Sequence, residues 1–535
     1  MDINGAWKKT CQVLLGDEIG DLERYRGYLL KYVQPTATRK SALSGKPVCV
    51  PSAEPYPAGS RFISKEEEAE YAAWLSKQTA MGINEIKDLD SAVSALGEKL
   101  YFCGDVVLGN SSNVEKSTDV TNSHYIYESW LIRDGAKYVA FTNNMRGSEY
   151  CFGSADGGAV SFLIKGYDPF MDTRCFEVLR SKPLFDSYYV ANLQGCNNCM
   201  FSFNLRNASY RIGNLQLGKD KYNSLKQKLL EDIRDTFKSR KEVPTLIDII
   251  GQGTGKVLLP RMENAPGKPE AVPMRHAAQN MAPIQSAFDN TCMVVFGKRL
   301  GDVRDFGPWL GEHVSGVVPV KSCASGAGFY SPELGFYLPI SKRMLTLEES
   351  LALGSKSVGA QELDRLSLAN ASMLLASISP TTPEVIVGSN LNIIDCVDYQ
   401  DSANSYMGSH VFFAKNSAYT FFGRSSENVF GVDKVLYSNN CIRCRNSTNL
   451  ARCFEVTDSY SCQDSYFCHN SENLSNCSFC FNAKNLKYAI GNLEIGREKY
   501  MKLKAALLAE ITGELEKNKS LRLGVYGAAA GRKPR

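Results

Sequence analysis

Residues 444–491 divide into four rows of twelve residues, CRNSTNLARCFE, VTDSYSCQDSYF, CHNSENLSNCSF and CFNAKNLKYAIG. When the rows are aligned, small or apolar residues recur in the first, fourth, seventh and tenth columns. The first column holds Cys444, Val456, Cys468 and Cys480. Asn or Asp fills the third column in every row. This period fits neither an α-helix nor an alternating β-strand.

A β-solenoid explains the twelve-residue period. If one row forms one coil, residues twelve apart in the sequence stack at the strand spacing of about 4.8 Å. Small residues would face a narrow interior. Asn side chains would form hydrogen-bonded ladders at the corners, because Asn tolerates a left-handed backbone. The rows therefore predict a short β-solenoid with about twelve residues per coil, in a fold that is mainly β with capping helices and α+β overall.

The solenoid segment occurs twice. The sequence RCFEV at 174–178 returns at 452–456, and about half of the sixty positions from Arg174 to Ile233 are identical 278 residues later. Weaker matches reach back to Cys11 and Cys292. We interpret this as a fused tandem duplication, which makes the chain a pseudo-dimer.

Each copy is expected to hold an α/β N-terminal part, a solenoid and a C-terminal amphipathic helix. The predicted boundaries are an N-terminal lead at 1–10, copy 1 at 11–237, a linker at 238–291, copy 2 at 292–515 and a basic tail at 516–535.

Two helices per copy are expected to cap the coils. After IGNL, the stripe Tyr222, Leu225, Leu229, Leu230 and Ile233 predicts an amphipathic helix, and the second copy repeats it from Tyr500. We expect this helix to cover the open solenoid end, since an uncapped coil is an exposed strand edge. Segments near Glu85 and Glu362 predict a second helix that caps the other end.

The rows NNCIRCRNSTNLARCF and NLSNCSFCFNAKNLKYAIGN, followed by a helix that begins REKY, carry a resemblance. They resemble a group of uncharacterised Cys/Asn-rich repeat proteins from candidate-phylum bacteria and phage-like contigs. The resemblance covers about the last hundred residues of each copy and implies no known activity. The chain lacks the N-terminal zinc-ribbon-like Cys cluster of that group, so no metal role follows from it.

Composition limits the classes of partner. The net charge of +4, with 44% hydrophobic and 22% charged residues, is typical of a globular protein. The basic residues are scattered, so a nucleic-acid partner is not expected. The first residues lack an apolar segment, and no run of eighteen apolar residues occurs. We therefore expect no signal peptide, no membrane insertion, and a location in the cytoplasm, or in a virion if the protein is viral.

Seventeen cysteines are expected to be reduced thiols that pack as small hydrophobic residues, with disulfides after export as the alternative. Pairs spaced C-x-x-C could supply zinc thiolates at Cys441, Cys444, Cys477 and Cys480. The row register explains the same spacings as inward-facing columns. We therefore expect neither a metal nor a cofactor.

Matched carboxylates are the candidate catalytic residues. Glu177 and Asp186 in copy 1 correspond to Glu455 and Asp464 in copy 2, and each pair lies on neighbouring coils. Glycoside hydrolysis uses such a carboxylate pair. The alternative interpretation is that these charges are solvated or bonded to the ladders. The aromatic residues Tyr188, Phe201, Tyr466 and Phe479 would suit a glycan, a protein partner or packing, and His469 is expected to face solvent.

Together these features favour a non-enzymatic structural or interaction protein that associates with itself or with other proteins. A rigid pseudo-dimer would suit a larger particle such as a virion or a surface assembly. One alternative is a β-helical carbohydrate-binding or carbohydrate-active protein. Another is a nucleic-acid-binding protein that uses the linker and the RKPR tail.

Overall fold

The computed structural model describes residues 1–260 and 279–530. The fold is mixed α and β. One sheet has sixteen strands and another has thirteen, and nearly all of their neighbouring strands run parallel. We call the strand-rich parts stack 1 (residues 107–212) and stack 2 (residues 386–490), and the segments that precede them arm 1 (36–105) and arm 2 (317–384).

Copy 1 begins with two helices and then forms arm 1. Its elements are α1 (Ile3–Leu15), α2 (Arg26–Leu30), β1 (Thr36–Lys40), β2 (Pro47–Pro51), β3 (Phe62–Ile63), α3 (Glu68–Gly82), α4 (Leu89–Leu96) and β4 (Phe102–Cys103). Stack 1 contains β5 (Val107–Leu108), β6 (Ser112–Glu115), β7 (Thr118–Thr121), β8 (His124–Tyr127), β9 (Trp130–Arg133), β10 (Lys137–Ala140), β11 (Asn143–Arg146), β12 (Glu149–Phe152), β13 (Ala155–Gly158), β14 (Ser161–Tyr167), β15 (Asp172–Leu179), β16 (Lys182–Phe185), β17 (Tyr188–Ala191), β18 (Gln194–Phe203) and β19 (Ser209–Ile212). The antiparallel strand β20 (Leu215–Gln216) and helices α5 (Lys219–Arg240) and α6 (Leu246–Gln252) follow.

Copy 2 repeats this order. Its first part contains α7 (Ala282–Phe296), α8 (Gly307–Gly311), β21 (Val317–Lys321), β22 (Gly328–Pro332), α9 (Leu347–Leu353), α10 (Ala360–Asp364) and α11 (Ala371–Leu374). Stack 2 contains β23 (Ile386–Val387), β24 (Leu391–Ile394), β25 (Val397–Gln400), β26 (Ala403–Tyr406), β27 (Ser409–Phe412), β28 (Lys415–Phe421), β29 (Glu427–Asp433), β30 (Asn439–Ile442), β31 (Ala451–Thr457), β32 (Tyr466–His469), β33 (Ser475–Ser478) and β34 (Lys487–Ile490). The elements β35 (Leu493–Glu494), α12 (Arg497–Asn518) and α13 (Val525–Ala528) close the copy.

Strand pairing in both stacks joins residues one row apart. Cys441 pairs with Cys453 and Leu163 pairs with Cys175, twelve residues apart in each case. Near the start of stack 1 the register widens, and Lys137 pairs with His124. The side chains of the first, fourth, seventh and tenth columns pack into the interior of stack 2, where they form one buried cluster of mainly Val, Leu, Cys and Ala.

The corners of the rows have a left-handed backbone. In the row that starts at Cys444, positive φ angles occur at Asn446, Asn449, Arg452 and Glu455, so every third residue turns the chain. Such angles are uncommon outside Gly, and Asn adopts them most readily. Asn side chains at equivalent corners form ladders of amide hydrogen bonds. The longest ladder joins Asn392, Asn404, Asn416 and Asn428 with N···O distances of 3.1, 3.0 and 3.1 Å.

The amphipathic helices predicted from Tyr222 and Tyr500 are present as α5 and α12. Their first turns contact the last strands of the stacks, through Tyr222 with Tyr210 and Tyr500 with Tyr488, and the rest of α5 continues along the side of stack 1. Helix α5 lies along the side of stack 1 beside α1. Its Phe237 ring packs edge-on against Trp7 and Phe176, and Lys226 covers the ring of Tyr188. The reason is that the outward-facing aromatic residues of successive rows form a long apolar wall, which matches the buried stripe of the helix.

The end of each stack is covered by the arm of the other copy. In arm 1, Thr79 Oγ1 donates to the Gly491 carbonyl of copy 2 at 2.7 Å, and the Tyr101 carbonyl accepts from Asn482 Nδ2 at 2.9 Å. Arm 2 makes the equivalent contacts with stack 1. Val358 N donates to the Gly213 carbonyl at 3.0 Å.

This exchange corrects the position predicted for the second helix. Helix α4, from the Glu85 segment, meets the last row of the opposite stack, where Leu96 lies against Gly491. The arms can cross because the two stacks run in opposite directions. Early rows of stack 1 contact late rows of stack 2, as in the hydrogen bond from Arg133 to the Asn446 carbonyl. Late rows of stack 1 meet early rows of stack 2, as in the ion pair of Arg180 with Asp398.

Parts of the predicted linker and tail are ordered helix. Helix α6 buries Leu246, Ile247 and Ile250 in a core that both copies form, and α13 buries Val525 and Tyr526 at the equivalent place in stack 2, against arm 1. The rest of the linker from 261 to 278 and the RKPR tail lie outside the described residues. No helix in the described ranges is both long enough and apolar enough to span a bilayer.

Candidate functional site

Four charged or polar side chains from the two copies meet at one seam between the stacks. Asp168 Oδ2 lies 3.1 Å from His410 Nε2 and 3.1 Å from Arg180 Nη1. Asp398 Oδ2 contacts Arg180 Nη2 and lies 3.5 Å from His410 Nε2. We call this group the seam cluster. Arg180, Asp398 and His410 are buried, and Asp168 is nearly so.

The row geometry brings these four residues together. Each of them occupies a left-handed corner of its row, with φ between 49° and 57°. Asp168 and Arg180 are one row apart in stack 1, and Asp398 and His410 are one row apart in stack 2. Corner side chains project away from the interior, so two antiparallel stacks place them face to face. Tyr337 of arm 2 adds a hydroxyl that accepts from Arg180 Nη1 at 2.8 Å.

The charges of the seam cluster are strongly coupled. Burial by itself would lower the pKa of His410, but the carboxylates of Asp168 and Asp398 outweigh it and raise the pKa above its ordinary value. Burial opposes ionisation of Asp168 as well, yet Arg180 and His410 lower its pKa. Such pairing is essential in a seam of low dielectric constant. Removal of one partner would leave an unpaired buried charge and lower the free energy of unfolding by roughly 3–5 kcal/mol.

Asp168, Asp398 and His410 are also close enough for their ligand atoms to hold a metal ion. Arg180 contacts both carboxylates and supplies the positive charge that a cation would otherwise bring. The arrangement is therefore suited to fixing the two copies against each other.

A second seam cluster lies where the early rows of stack 1 meet the late rows of stack 2. Arg445 pairs with Glu54 of arm 1 at 3.1 Å, and Asn446 Nδ2 donates to Glu54 and to Asp458 at 3.1 Å each. Asp119 of stack 1 is half-buried nearby, and desolvation raises its pKa, with further increases from Asp458 and Glu54. Both seams thus contain buried charges from both copies.

The predicted carboxylates Glu177 and Glu455 are buried and have matching partners. Glu177 accepts hydrogen bonds from Leu246 N at 2.7 Å and from the Tyr28 hydroxyl at 2.5 Å. Glu455 accepts from Val525 N at 2.9 Å and from Arg443 Nε at 2.5 Å. Each glutamate therefore caps the short helix, α6 or α13, that closes its own copy. Burial raises the pKa of Glu177 to about 7.

Asp186 and Asp464 lie elsewhere, at partly exposed positions. Each forms a bidentate ion pair with the arginine one row earlier. Asp186 pairs with Arg174 at 2.6–2.7 Å, and Asp464 pairs with Arg452 at 2.7–2.9 Å. The described contacts of Glu455 and Asp464 share no residue, and the same holds for Glu177 and Asp186. Asp186 and Asp464 are thus bonded between neighbouring rows, whereas Glu177 and Glu455 cap helices.

The candidate zinc cysteines lie inside stack 2. All seventeen cysteines are free, and Cys441, Cys444, Cys477 and Cys480 are fully buried. Their thiols contact backbone carbonyls two residues earlier, for example Cys441 Sγ with Asn439 O at 3.4 Å. Within the described ranges, the cysteines form no group of three or more His, Cys, Asp or Glu ligand atoms at metal-binding distance.

The expectation that His469 faces solvent is wrong. His469 is buried. A hydrogen bond of 3.0 Å joins its Nδ1 to Thr457 Oγ1, and its ring packs edge-on against Phe102 of arm 1. It is buried because arm 1 covers this side of stack 2. The aromatic residues Tyr188, Phe201, Tyr466 and Phe479 are buried too, which agrees with packing among the three uses considered for them.

Comparisons with known proteins give no match. No protein-family model, curated protein or solved structure is similar to the chain.

Sequence reasoning missed the seam clusters. Asp168 and Arg180 occupy outward corners, where charges are usually solvated, and their partners are more than two hundred residues away in the sequence. One signal was present. Copy 2 has Asn446 and Asp458 at the positions equivalent to Asp168 and Arg180, and such a reversal of charge indicates that the two copies meet different partners.

Proposed function

We propose that each stack is a short β-solenoid and that the chain is a non-enzymatic structural protein, built as a pseudo-dimer that assembles with further copies. The observation that carries this proposal is the exchange of arms. Each copy covers the last row of the other, and both seams contain buried ion pairs. A body held together in this way is rigid, which suits a building block of a larger particle such as a virion or a surface assembly.

The first rows supply a means of assembly. Strands β6 and β24 each pair with one neighbour only, so each stack begins with a strand edge that has no partner within the described chain. Because the stacks are antiparallel, these two edges lie at opposite ends of the body. An exposed edge is a template for pairing with another chain. Leu391, at the start of β24, is 69% exposed.

The two ends have different side chains, since the first row of stack 1 presents Asn110, Ser112 and Glu115 where stack 2 presents Leu391. An association of one end with the other would be heterologous and would give a linear assembly. The occupant we propose for each edge is therefore the opposite end of a second copy.

The test is the size of the purified full chain over a range of concentrations, by analytical ultracentrifugation and negative-stain imaging. We expect oligomers that grow along one axis, and we expect Leu391→Lys to weaken the association at least tenfold. Met293→Lys is the matched control, because Met293 is also an exposed apolar residue, at 47%, but lies on α7 at the side of stack 2. A monomer at every concentration, or equal effects of the two variants, would contradict the proposal.

A further inference from the structure

A large cavity lies between the two copies beside the seam cluster. Its volume is about 1470 Å³, and its walls come from late rows of stack 1, early rows of stack 2 and helix α9 of arm 2. Lining residues Asn207, Glu348 and Gly388 are exposed, so the cavity opens to solvent. Ligand sites commonly occupy such clefts between domains.

One wall of the cavity is a regular column of stack 1. Residues twelve apart follow one another along it in the order Arg146, Gly158, Phe170, Lys182, Gln194 and Arg206. The first three pair in sequence, as do the last three, and the Lys182 ammonium lies over the Phe170 ring. From Gly158 to Arg206 the column has four steps, which correspond to about 19 Å at the strand spacing. Gln400, Phe412 and Arg424 of stack 2 form the facing wall. The cavity is therefore an elongated groove, which fits a linear ligand.

Four cations in this groove have no carboxylate partner in the described part of the chain. They are Lys182, Arg206, Arg211 and Arg424. By contrast, the two remaining arginines of the walls are paired, Arg146 with Asp134 and Arg180 within the seam cluster.

The lack of a carboxylate partner is clearest at Arg206. Its guanidinium donates only to neutral oxygens, including Asn192 O at 2.7 Å and Asn192 Oδ1 at 3.0 Å. Burial lowers its pKa to about 10. A half-buried guanidinium that faces open space without a counter-ion favours an anion in that space.

The duplication provides an internal comparison. The position equivalent to Arg206 in stack 2 is Lys484, and it forms an ion pair with Glu472 at 3.2 Å. The position equivalent to Glu472 in stack 1 is Gln194, which lines the groove. Stack 2 thus neutralises its cation with a carboxylate one row earlier, whereas stack 1 has an amide there and leaves the cation for a ligand.

We propose that the groove binds an acidic oligosaccharide, with uronate or sulfate groups on the four unpaired cations. The side-chain amides of Gln194, Asn207 and Gln400 supply donors and acceptors that suit sugar hydroxyls. Arginine guanidinium groups form bidentate hydrogen bonds with carboxylate and sulfate oxygens. This site is distinct from the predicted carboxylates, and it goes beyond the structural role proposed above.

The test is calorimetric titration of the full chain with a heparin-derived hexasaccharide and with a hexagalacturonate. Maltohexaose serves as the neutral sugar, and inorganic tripolyphosphate serves as the non-sugar anion. We expect binding of at least one acidic sugar and none of maltohexaose. Suppose that neither acidic sugar binds, and that tripolyphosphate binds to the wild type but more weakly to variants of the groove. The proposed class of ligand is then wrong.

Three variants locate the site. Gln194→Glu copies Glu472 and supplies a partner for Arg206, so we expect at least tenfold weaker binding with an unchanged or higher melting temperature. Lys182→Gln should also weaken binding. Lys484→Gln, at the equivalent position outside the groove, should leave binding unchanged. Equal loss in Lys484→Gln and Gln194→Glu, or no binding of either acidic sugar to the wild type, would overturn the proposal.

Discussion

Asp232 and Glu510 lie at equivalent positions of the long helices α5 and α12, and each carboxylate accepts a backbone N–H from the arm of the opposite copy. Glu510 accepts from Leu89 and Asp232 accepts from Leu368, and both distances are 2.8–2.9 Å. The pair demonstrates that the exchange of arms obeys the pseudo-twofold symmetry of the duplication. Leu89 is also the first residue of α4, so Glu510 caps that helix.

Removal of these two carboxylates should destabilise both ends of the body separately. We expect Glu510→Ala and Asp232→Ala to lower the free energy of unfolding by about 1 kcal/mol each, the usual net contribution of one hydrogen bond. Because the two sites lie at opposite ends, their effects should add. Urea unfolding of the single and double variants measures this. A double variant that loses much less than the sum would indicate that the two arms are not independent contacts.

Asp172 is a buried carboxyl at an inward position of stack 1, where stack 2 has Leu450. Burial holds the pKa of Asp172 well above its ordinary value, so the folded protein favours the neutral carboxyl. Asp172→Val should stabilise the fold by about 1–3 kcal/mol, because a buried polar group is replaced by an apolar one.

The stabilisation of the fold by Asp172→Val should depend on pH. The unfolded chain releases the proton of Asp172 above its ordinary pKa, whereas the folded chain keeps it, so wild-type stability falls as pH rises above about 4. The stability difference should therefore be larger at pH 7 than at pH 4, as measured by thermal unfolding at both values. A difference that does not change with pH would show that the carboxyl is ionised in the fold.

His410 should make the first seam sensitive to pH. The groups that face it are Asp168, Asp398 and Arg180. Its folded pKa is raised, so its stabilising effect is complete below the unfolded pKa of about 6.5 and is lost as pH rises through the folded pKa. The stability advantage of wild type over His410→Gln should thus be larger at pH 6 than at pH 9. His124→Gln, in a row of stack 1 outside the seam clusters, is the control for loss of an imidazole elsewhere in the fold.

The exchange of arms predicts that neither copy is stable alone. Residues 279–530 expressed without copy 1 would expose the last row of stack 2, including Phe481 and Ile490, which arm 1 covers. We expect this fragment to aggregate by itself and to form a soluble one-to-one complex when it is co-expressed with residues 1–260. Size-exclusion chromatography distinguishes these outcomes. A folded, monomeric 279–530 fragment would show that the arm is dispensable.

The inward cysteines should tolerate replacement without any change in metal content. Cys480→Ser copies Ser202 of stack 1, whose hydroxyl donates to the Met200 carbonyl at 2.9 Å. We expect a loss of about 1 kcal/mol and no zinc in either protein by elemental analysis. Zinc bound at one equivalent per chain, and lost in the variant, would restore the metal interpretation.

The local pattern of the rows was accessible from the sequence, because each column combines one backbone conformation with one environment. Cys444 and Cys480 face inward and Asn446 lies at a left-handed corner, as their columns indicate. The exchange of arms could not be predicted from the sequence. A repeat with an offset of 278 residues looks the same whether Thr79 contacts its own copy or the other one.

The error at His469 has the same origin. Its column position gives an outward direction, and outward side chains of an isolated solenoid meet water. Only the path of arm 1 across stack 2 brings Phe102 onto this residue. The seam cluster and the groove likewise depend on how two stacks face each other, which no row of the sequence records.

The exchange of arms also has a consequence for synthesis on the ribosome. Gly213 emerges in the last row of stack 1, but Val358, which covers it, is translated more than a hundred residues later. At typical elongation rates this delay is on the order of ten seconds. During that interval the nascent chain carries an uncovered strand edge, so chaperone binding to stack 1 should end when arm 2 leaves the exit tunnel.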